Sequence, residues 1–317
     1  MPLALSDIRA ARERIAPHVK LTPVLTNEAL DAAAGAQLFF KCENLQAMGA
    51  FKARGAANAV FSLSAADAAR GVVTHSSGNH GAAVARAAKL RGIRGFIVMP
   101  RNAPQTKIRN VESYGGQIVY CEPNLTAREA ACAQIAAETG AVLVHPFDDY
   151  AVMAGQGTAT LELLEQAGAL DLVLCPVGGG GLLSGTAVAA KGTQPGIRVI
   201  GVEPAAADDV AQSFRAKKPV SIAHANTIAD GLRTNVTGER NLPLILQHVD
   251  DIVTVSEDAI VAAMRALWEN LKIVVEPSAA VPFAAIHSGA LDVRGKKVGL
   301  ILTGGNVDLE ALPWLKK

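Results

Sequence analysis

The chain carries almost no net charge: 30 lysines and arginines stand against 29 aspartates and glutamates, giving +1 over 317 residues. That balance provides no electrostatic case for nucleic acid or an anionic membrane as partner. Cysteine is scarce. Cys42, Cys121, Cys132 and Cys175 are scattered without a CxxC pair, which argues against a disulfide scaffold and a zinc site and fits free thiols in a reducing cytosol. No apolar signal-peptide run follows the early charges of residues 1–14, so a cytoplasmic location is expected. No internal repeat or low-complexity linker stands out, and too little follows Trp314 for an appended regulatory module. Leu172 to Ala190 lacks charge over nearly the length that crosses a bilayer. Pro176 and four consecutive glycines would break a lipid-exposed helix there, so the segment reads as buried strand, tight turn and buried helix.

What is present suits a large folded core. Half the residues are hydrophobic and 19% are charged, and this length predicts two subdomains. Short apolar runs alternate with alanine-rich helical patterns. Strands are predicted at residues 37–42, 71–75, 95–99, 117–120, 141–144, 172–177, 198–202, 251–255 and 297–302. Helices are predicted at 53–61, 80–90, 127–138, 151–167, 182–191 and 257–271. The alternation argues for an α/β protein on parallel sheet, and continuous runs such as Leu172–Val177 argue for strands covered on both faces. Residues 216–230 read as a surface loop.

Three motifs carry chemistry. Lys52 lies between Phe51 and Ala53 at a helix start. Such a lysine is either a solvated surface residue or, if its apolar neighbours desolvate it, a nucleophile and base with a lowered pKa. Ser76-Ser77-Gly78-Asn79-His80 follows a strand and precedes a helix, where open α/β sheets place ligands and helix amides suit a carboxylate; the alternative is a serine-capped turn. Gly178–Gly181 follows the strongest buried strand and opens a helix at Leu182. Four glycines exceed what a turn needs and suit a phosphate cradle. Gly178, Gly180 and Gly185 loosely imitate a dinucleotide fingerprint with Glu203 as the ribose acid, but the G-x-G-x-x-G spacing is not met. An amine, a carboxylate grip and a phosphate cradle are together the parts that hold pyridoxal phosphate against an amino acid. Two further features stand beside them. Glu203, Asp208 and Asp209 form an acidic cluster that suits Mg²⁺ or Ca²⁺, or a solvated loop. Thr303 ends a strand, where a hydroxyl can bond a pyridine nitrogen without protonating it.

With these motifs in family order, the chain resembles the threonine/serine dehydratase and serine racemase group of fold type II pyridoxal-phosphate enzymes. The resemblance runs from Leu21-Thr22-Pro23 through Gly155-Gln156-Gly157-Thr158 to Thr303-Gly304-Gly305-Asn306-Val307-Asp308-Leu309. It implies a tryptophan synthase β-like fold of two open-sheet domains with the active site in the cleft. The large domain would comprise 1–64 and 149–317, and the small mobile domain 65–148. The resemblance further implies Lys52 as the Schiff-base lysine with Phe51 beside it, and Asn79 as partner of the cofactor's ring oxygen. It makes Gly178, Gly179, Gly180, Gly181 and Leu182 the phosphate loop, and Thr303 the pyridine-nitrogen partner. Ser77 would face Lys52 from the opposite side as a second catalytic group, and His75, Ser76, Ser77 and Arg128 would line the substrate pocket. In racemase-like members a divalent ion, Mg²⁺ or Ca²⁺, binds residues matching Glu203, the Ala207 carbonyl and Asp209.

Two positions depart from the pattern. Ala50 stands where many relatives have serine, and Phe147 stands where racemase-like members carry asparagine. At Phe147 the chain is more similar to bacterial threonine dehydratases. Hydroxyaspartate dehydratases share the Thr303 motif and the Leu312-Pro313-Trp314 ending. The resemblance thus implies a β-elimination that converts an L-β-hydroxy amino acid, L-threonine or L-serine first, into a 2-oxo acid and ammonia. Serine racemisation and hydroxyaspartate dehydration are the alternatives. A homo-oligomer, a dimer by resemblance, is expected.

Overall fold

Apolar runs without internal charge need cover on both faces, and the chain supplies it with two helix-flanked sheets. The structure is a computed structural model that describes residues 2–76, 78–103 and 105–315, apart from the side chains of Thr106 and Leu125. Ten strands are present among the described residues: β1 (Val24–Leu25), β2 (Gln37–Cys42), β3 (Val72–His75), β4 (Gly95–Pro100), β5 (Gln117–Cys121), β6 (Val142–Leu143), β7 (Leu172–Pro176), β8 (Arg198–Pro204), β9 (Asp251–Val255) and β10 (Lys297–Leu302). Six form one sheet in the order β1-β2-β10-β7-β8-β9, and four form a second in the order β5-β4-β3-β6. Every pairing is parallel except β1 with β2. The smaller sheet is built wholly from residues 72–143.

Period-two alternation explains the layers. On β7, Leu172 and Leu174 enter a core with helices Glu257–Leu271 and Pro277–His287, while Val173 and Cys175 enter another with helix Gly181–Thr193. The charge-free stretch 172–190 is therefore a buried strand, a turn and a buried helix, and no helix among the described residues is long and apolar enough to cross a membrane. Val72 and Val73 divide the smaller sheet's core in the same way.

Helix Lys52–Phe61 is held by two devices. A Cβ at Gly155 would lie 2.6 Å from the Arg54 carbonyl oxygen, so this helix packs backbone to backbone on helix Tyr150–Ala167. Beneath it lies a buried ion network. Arg54 donates to both Glu43 oxygens at 2.7 and 2.8 Å and to both Glu162 oxygens at 2.7 Å. Lys41 pairs with Glu162 at 2.7 Å and donates to the Thr22 carbonyl. Four buried charges cancel in pairs, which is the condition for keeping them out of water.

The predicted strands and helices are all present, with ends shifted by up to two residues. Helices at 5–15, 28–34, 65–70, 105–113, 209–216, 241–248 and 277–287 were not foreseen. Asp209 opens one of them, so the acidic cluster is no solvated loop: Glu203 and Asp209 are both fully buried.

Candidate active site

Both sheets aim their carboxyl ends at one region. Past β10, the Thr303 carbonyl accepts the Phe51 amide at 2.9 Å, and Ala50 bridges Gly304. These contacts set Lys52 at its helix N-terminus beside the strand end. The preceding turn holds Met48 at φ 59°, a left-handed conformation that costs energy for a non-glycine residue. Lys52 as a residue is partly exposed, but its amine is packed inward and donates to the Pro146 carbonyl at 2.7 Å. Burial without a carboxylate partner pulls it from 10.5 to about 8. Phe51 stands beside it, with the Lys52 Nζ 5.2 Å from its ring centre.

From the smaller sheet, β3 delivers His75 and then Ser76, whose hydroxyl accepts the Gly78 amide. Ser77 lies outside the described residues. Asn79 opens the following helix, and its Nδ2 donates to Glu276 at 3.0 and 3.2 Å while its Oδ1 accepts from Asn306 at 2.9 Å. Sequence reasoning missed Glu276. No spacing marks it: it is the residue before Pro277 at the start of an unforeseen helix. Burial, with Asp230 nearby, pushes its carboxyl up to about 8. Three histidines complete this side. His80 is buried with Nε2 on the Val144 carbonyl and Nδ1 unpartnered. His145 Nδ1 accepts the Phe147 and Asp148 amides, which places its proton on Nε2, and burial lowers it to about 4. His75 meets His145 edge to face at 5.5 Å.

The glycine loop closes the third side. Phe147 lies over it: a Cβ at Gly179 would lie 2.3 Å from the Phe147 ring, and one at Gly181 2.8 Å from the Phe147 carbonyl oxygen. The aromatic in place of a polar residue is thus part of the loop's packing. At Gly180, with φ +102°, a Cβ would meet Asn241 and Ile245 rather than open space. Among the described residues, no hydrogen bond uses the amides of Gly178, Gly179 or Gly180 as donors. Those amides and the free first turn of helix Gly181–Thr193 form a set of unused donors of the kind that binds phosphate.

Thr303 is 3% exposed and its hydroxyl has no partner among the described residues. A buried hydroxyl without a partner costs energy unless a ligand satisfies it. The unused amides, the unpartnered hydroxyl and the depressed lysine fit pyridoxal phosphate. Leu182 is buried in the helix behind the loop.

Arg128 sits in the first turn of helix Leu125–Thr139, just past the carboxyl end of β5. Its Nε is buried without a partner among the described residues. Burial lowers the pKa of the His75 ring, and the opposed charges of Glu129 and Arg128 both act on it, Glu129 the more strongly.

Glu203, Ala207 and Asp209 cluster elsewhere, among residues 203–211 and 234. Glu203 accepts the Val210 and Ala211 amides at 3.1 and 2.8 Å, and Asp209 accepts the Thr234 hydroxyl at 3.3 Å. Burial first, and mutual repulsion, push Glu203 up to about 9; burial pushes Asp209 up to about 7. The Asp209 Oδ2 has no partner among the described residues. Ala207 is buried between them in a short 3-10 turn. No group of three or more His, Cys, Asp or Glu suited to a metal occurs among the described residues.

Residues 15–304 match the family model for pyridoxal-phosphate dependent enzymes. The chain is 50% identical to a serine racemase of Oryza sativa subsp. indica, covering 97% of this chain and 92% of the relative. It is also 50% identical to a beta-hydroxyaspartate dehydratase of Paracoccus denitrificans (strain Pd 1222), covering 97% and 98%. Among solved structures, the T.th. threonine deaminase superposes with a TM-score of 0.91 at 43% identity, covering 96% of this chain and 99% of that one. The chain therefore belongs to the fold type II pyridoxal-phosphate dependent enzymes, in the family of serine/threonine dehydratases and racemases.

Proposed function

We propose that the enzyme eliminates water from a 3-hydroxyaspartate, a β-hydroxy amino acid with a second carboxylate, giving a 2-oxo acid and ammonia after hydrolysis. The observation that carries this reading is Arg128. A guanidinium whose buried Nε has no partner among the described residues, past the carboxyl end of β5 and within range of His75 electrostatically, suits an extra carboxylate. Threonine and serine, the first expectation from sequence, have no second anion for it. The dehydratase relative acts on such a substrate by name.

Pyridoxal phosphate supplies the electron sink for loss of the Cα proton. Lys52, with its amine near 8, is a base that works at neutral pH. Unused amides at Gly178–Leu182 would hold the phosphate, Asn79 the ring oxygen, and the Thr303 hydroxyl the ring nitrogen. The substrate's α-carboxylate goes to Ser76 and the start of the helix at Asn79. The unit 65–148 acts as a mobile domain whose closure excludes water. A divalent cation at Glu203, the Ala207 carbonyl and Asp209 accounts for two buried carboxylates and one unpartnered oxygen.

Serine racemisation is the other reading, favoured by the rice relative. Against it stands Phe147, whose ring packs on the glycine loop where racemase-like members keep a polar group. The test is a parallel keto-acid and chiral assay on both 3-hydroxyaspartate diastereomers, L-serine and L-threonine. The highest kcat/KM should belong to a 3-hydroxyaspartate, and Arg128→Met should lower that value more than the value for L-serine. Equal or better elimination of L-threonine, or D-serine as the dominant product, would overturn the proposal.

A further inference from the structure

The Asn79 side chain has two N–H groups and one carbonyl, and the structure accounts for all but one of them. The Nδ2 contacts to the two Glu276 oxygens, at 3.0 and 3.2 Å, come from one N–H, because the two bonds of a planar amide diverge too widely to meet a single carboxylate. The carbonyl is taken by Asn306, whose Nδ2 donates to Asn79 Oδ1 and to the Met48 carbonyl, each at 2.9 Å. A donor on the oxygen side and an acceptor on the nitrogen side leave the amide one orientation. Asn306 can present only N–H to Asn79, because the Met48 carbonyl holds its Nδ2 on that side, so a flip would set N–H against N–H. The partners come from three segments. Glu276 opens helix Pro277–His287, Asn306 follows β10, and Met48 lies four residues before Lys52 in the strained turn. Gly49 makes room for this arrangement, since a Cβ there would lie 2.7 Å from Asn306 Oδ1.

We infer that Asn306, acting with Glu276, is a positioning residue that locks the Asn79 amide with its second N–H free for the cofactor's ring oxygen. The inference rests on the assignment of Asn79 to that oxygen. It also explains why the turn before Lys52 is held in place from the same side: one asparagine ties the lysine loop and the ring-oxygen partner together.

The test uses equilibrium binding of pyridoxal phosphate to the apoprotein and the position and pH dependence of the bound cofactor's visible band. Asn306→Asp keeps the size of the side chain but removes its donor, so it separates hydrogen bonding from packing. It should weaken cofactor binding roughly tenfold and shift the band, as should Asn306→Ala. Both should weaken binding much less in an Asn79→Ala background, because most of the effect runs through that amide and only the Met48 contact is left to lose. Glu276→Gln should shift the band in the same direction; Asn306 is exposed, so its variants decide the matter even if the buried Glu276 variant fails to fold. Parent-like binding by Asn306→Asp, or the same loss with and without Asn79, would overturn the inference alone. Parent-like binding by Asn79→Ala would overturn it together with the Asn79 assignment. The substrate reading fails by a different measurement, the keto-acid assay.

Discussion

Replacing Lys52 with methionine should stabilise the apoprotein at neutral pH. Methionine keeps the length of the side chain and removes the charge. Burial without a carboxylate lowers the amine from 10.5 to about 8, so keeping it ionised at pH 7 costs the folded state up to roughly 3 kcal/mol. The residue is partly exposed, and solvent screening removes about half of that figure. The variant also strands the Pro146 carbonyl that accepts from Nζ at 2.7 Å, a loss of about 0.5–1 kcal/mol. The net gain is about 1 kcal/mol, a rise in Tm of roughly 1–3 °C for a chain of this size. The sign reverses the usual lysine case. A folded-state pKa below the unfolded value means that the unfolded chain binds more protons between about 8 and 10.5, so the parent gains stability as pH rises through that window. The advantage of the variant should be full below about pH 8 and mostly gone by about pH 10. Urea unfolding of both apoproteins at the two pH values measures it. A variant less stable than the parent at neutral pH, or a gap indifferent to pH, would refute the reasoning.

Other perturbations follow from the same groups. Glu203 is raised to about 9 and Asp209 to about 7, so cation-free protein should lose stability as pH rises from about 4.5 to 9; Mg²⁺ should restore it at the alkaline end, and a thermal melt that ignores Mg²⁺ at pH 8.5 would leave the acidic pair without a cation. Glu162→Gln leaves Lys41 and Arg54 short of a buried partner and should cost about 3 kcal/mol in urea unfolding, far more than loss of the exposed pair Arg265–Glu269. Gly180→Val would strain the left-handed backbone against Asn241 and Ile245, so it should lower stability as well as cofactor affinity.

Strands were legible because their apolar runs are continuous and bounded by glycine or polar turns; β2, β9 and β10 begin and end where the sequence puts them. Helices with mixed surfaces were not. Residues 105–113 and 209–216 each carry several polar or charged side chains, and Pro277 and Pro282 disguise a buried helix. Lys52, Asn79, the glycine loop and Thr303 stood out as candidates because each ends a strand or opens a helix. Glu276 and Asn306 bond to Asn79 across 197 and 227 residues, and no local pattern records such a contact. The acidic cluster was visible, but its burial depends on a helix and on Thr234, which lies 25 residues from Asp209.

The fold also decides which lysine can carry the cofactor, because burial alone does not. Lys41 is 0% exposed, yet Glu162 lies 2.7 Å from its amine and opposes the effect of burial, so its proton is held in an ion pair. Lys107 sits near the surface, paired with Asp230 at 2.5 Å. Lys52 alone of the three has an amine packed inward with no carboxylate to oppose burial and only a carbonyl as acceptor among the described residues. At pH 7 about one Lys52 amine in ten is neutral, against about one in three thousand for an unperturbed lysine, and the neutral amine is the form that attacks an aldehyde. Borohydride treatment of the holoenzyme, followed by peptide mapping, should therefore fix the cofactor on Lys52. Lys52→Ala should lose both the visible band and the tag while still folding, since removing the buried charge relieves the apoprotein. A tag on Lys41 would mean that the ion pair with Glu162 opens when the cofactor binds, and a tag on Lys107 that the reactive amine is at the domain surface. Either result would remove Lys52 from the centre of the site.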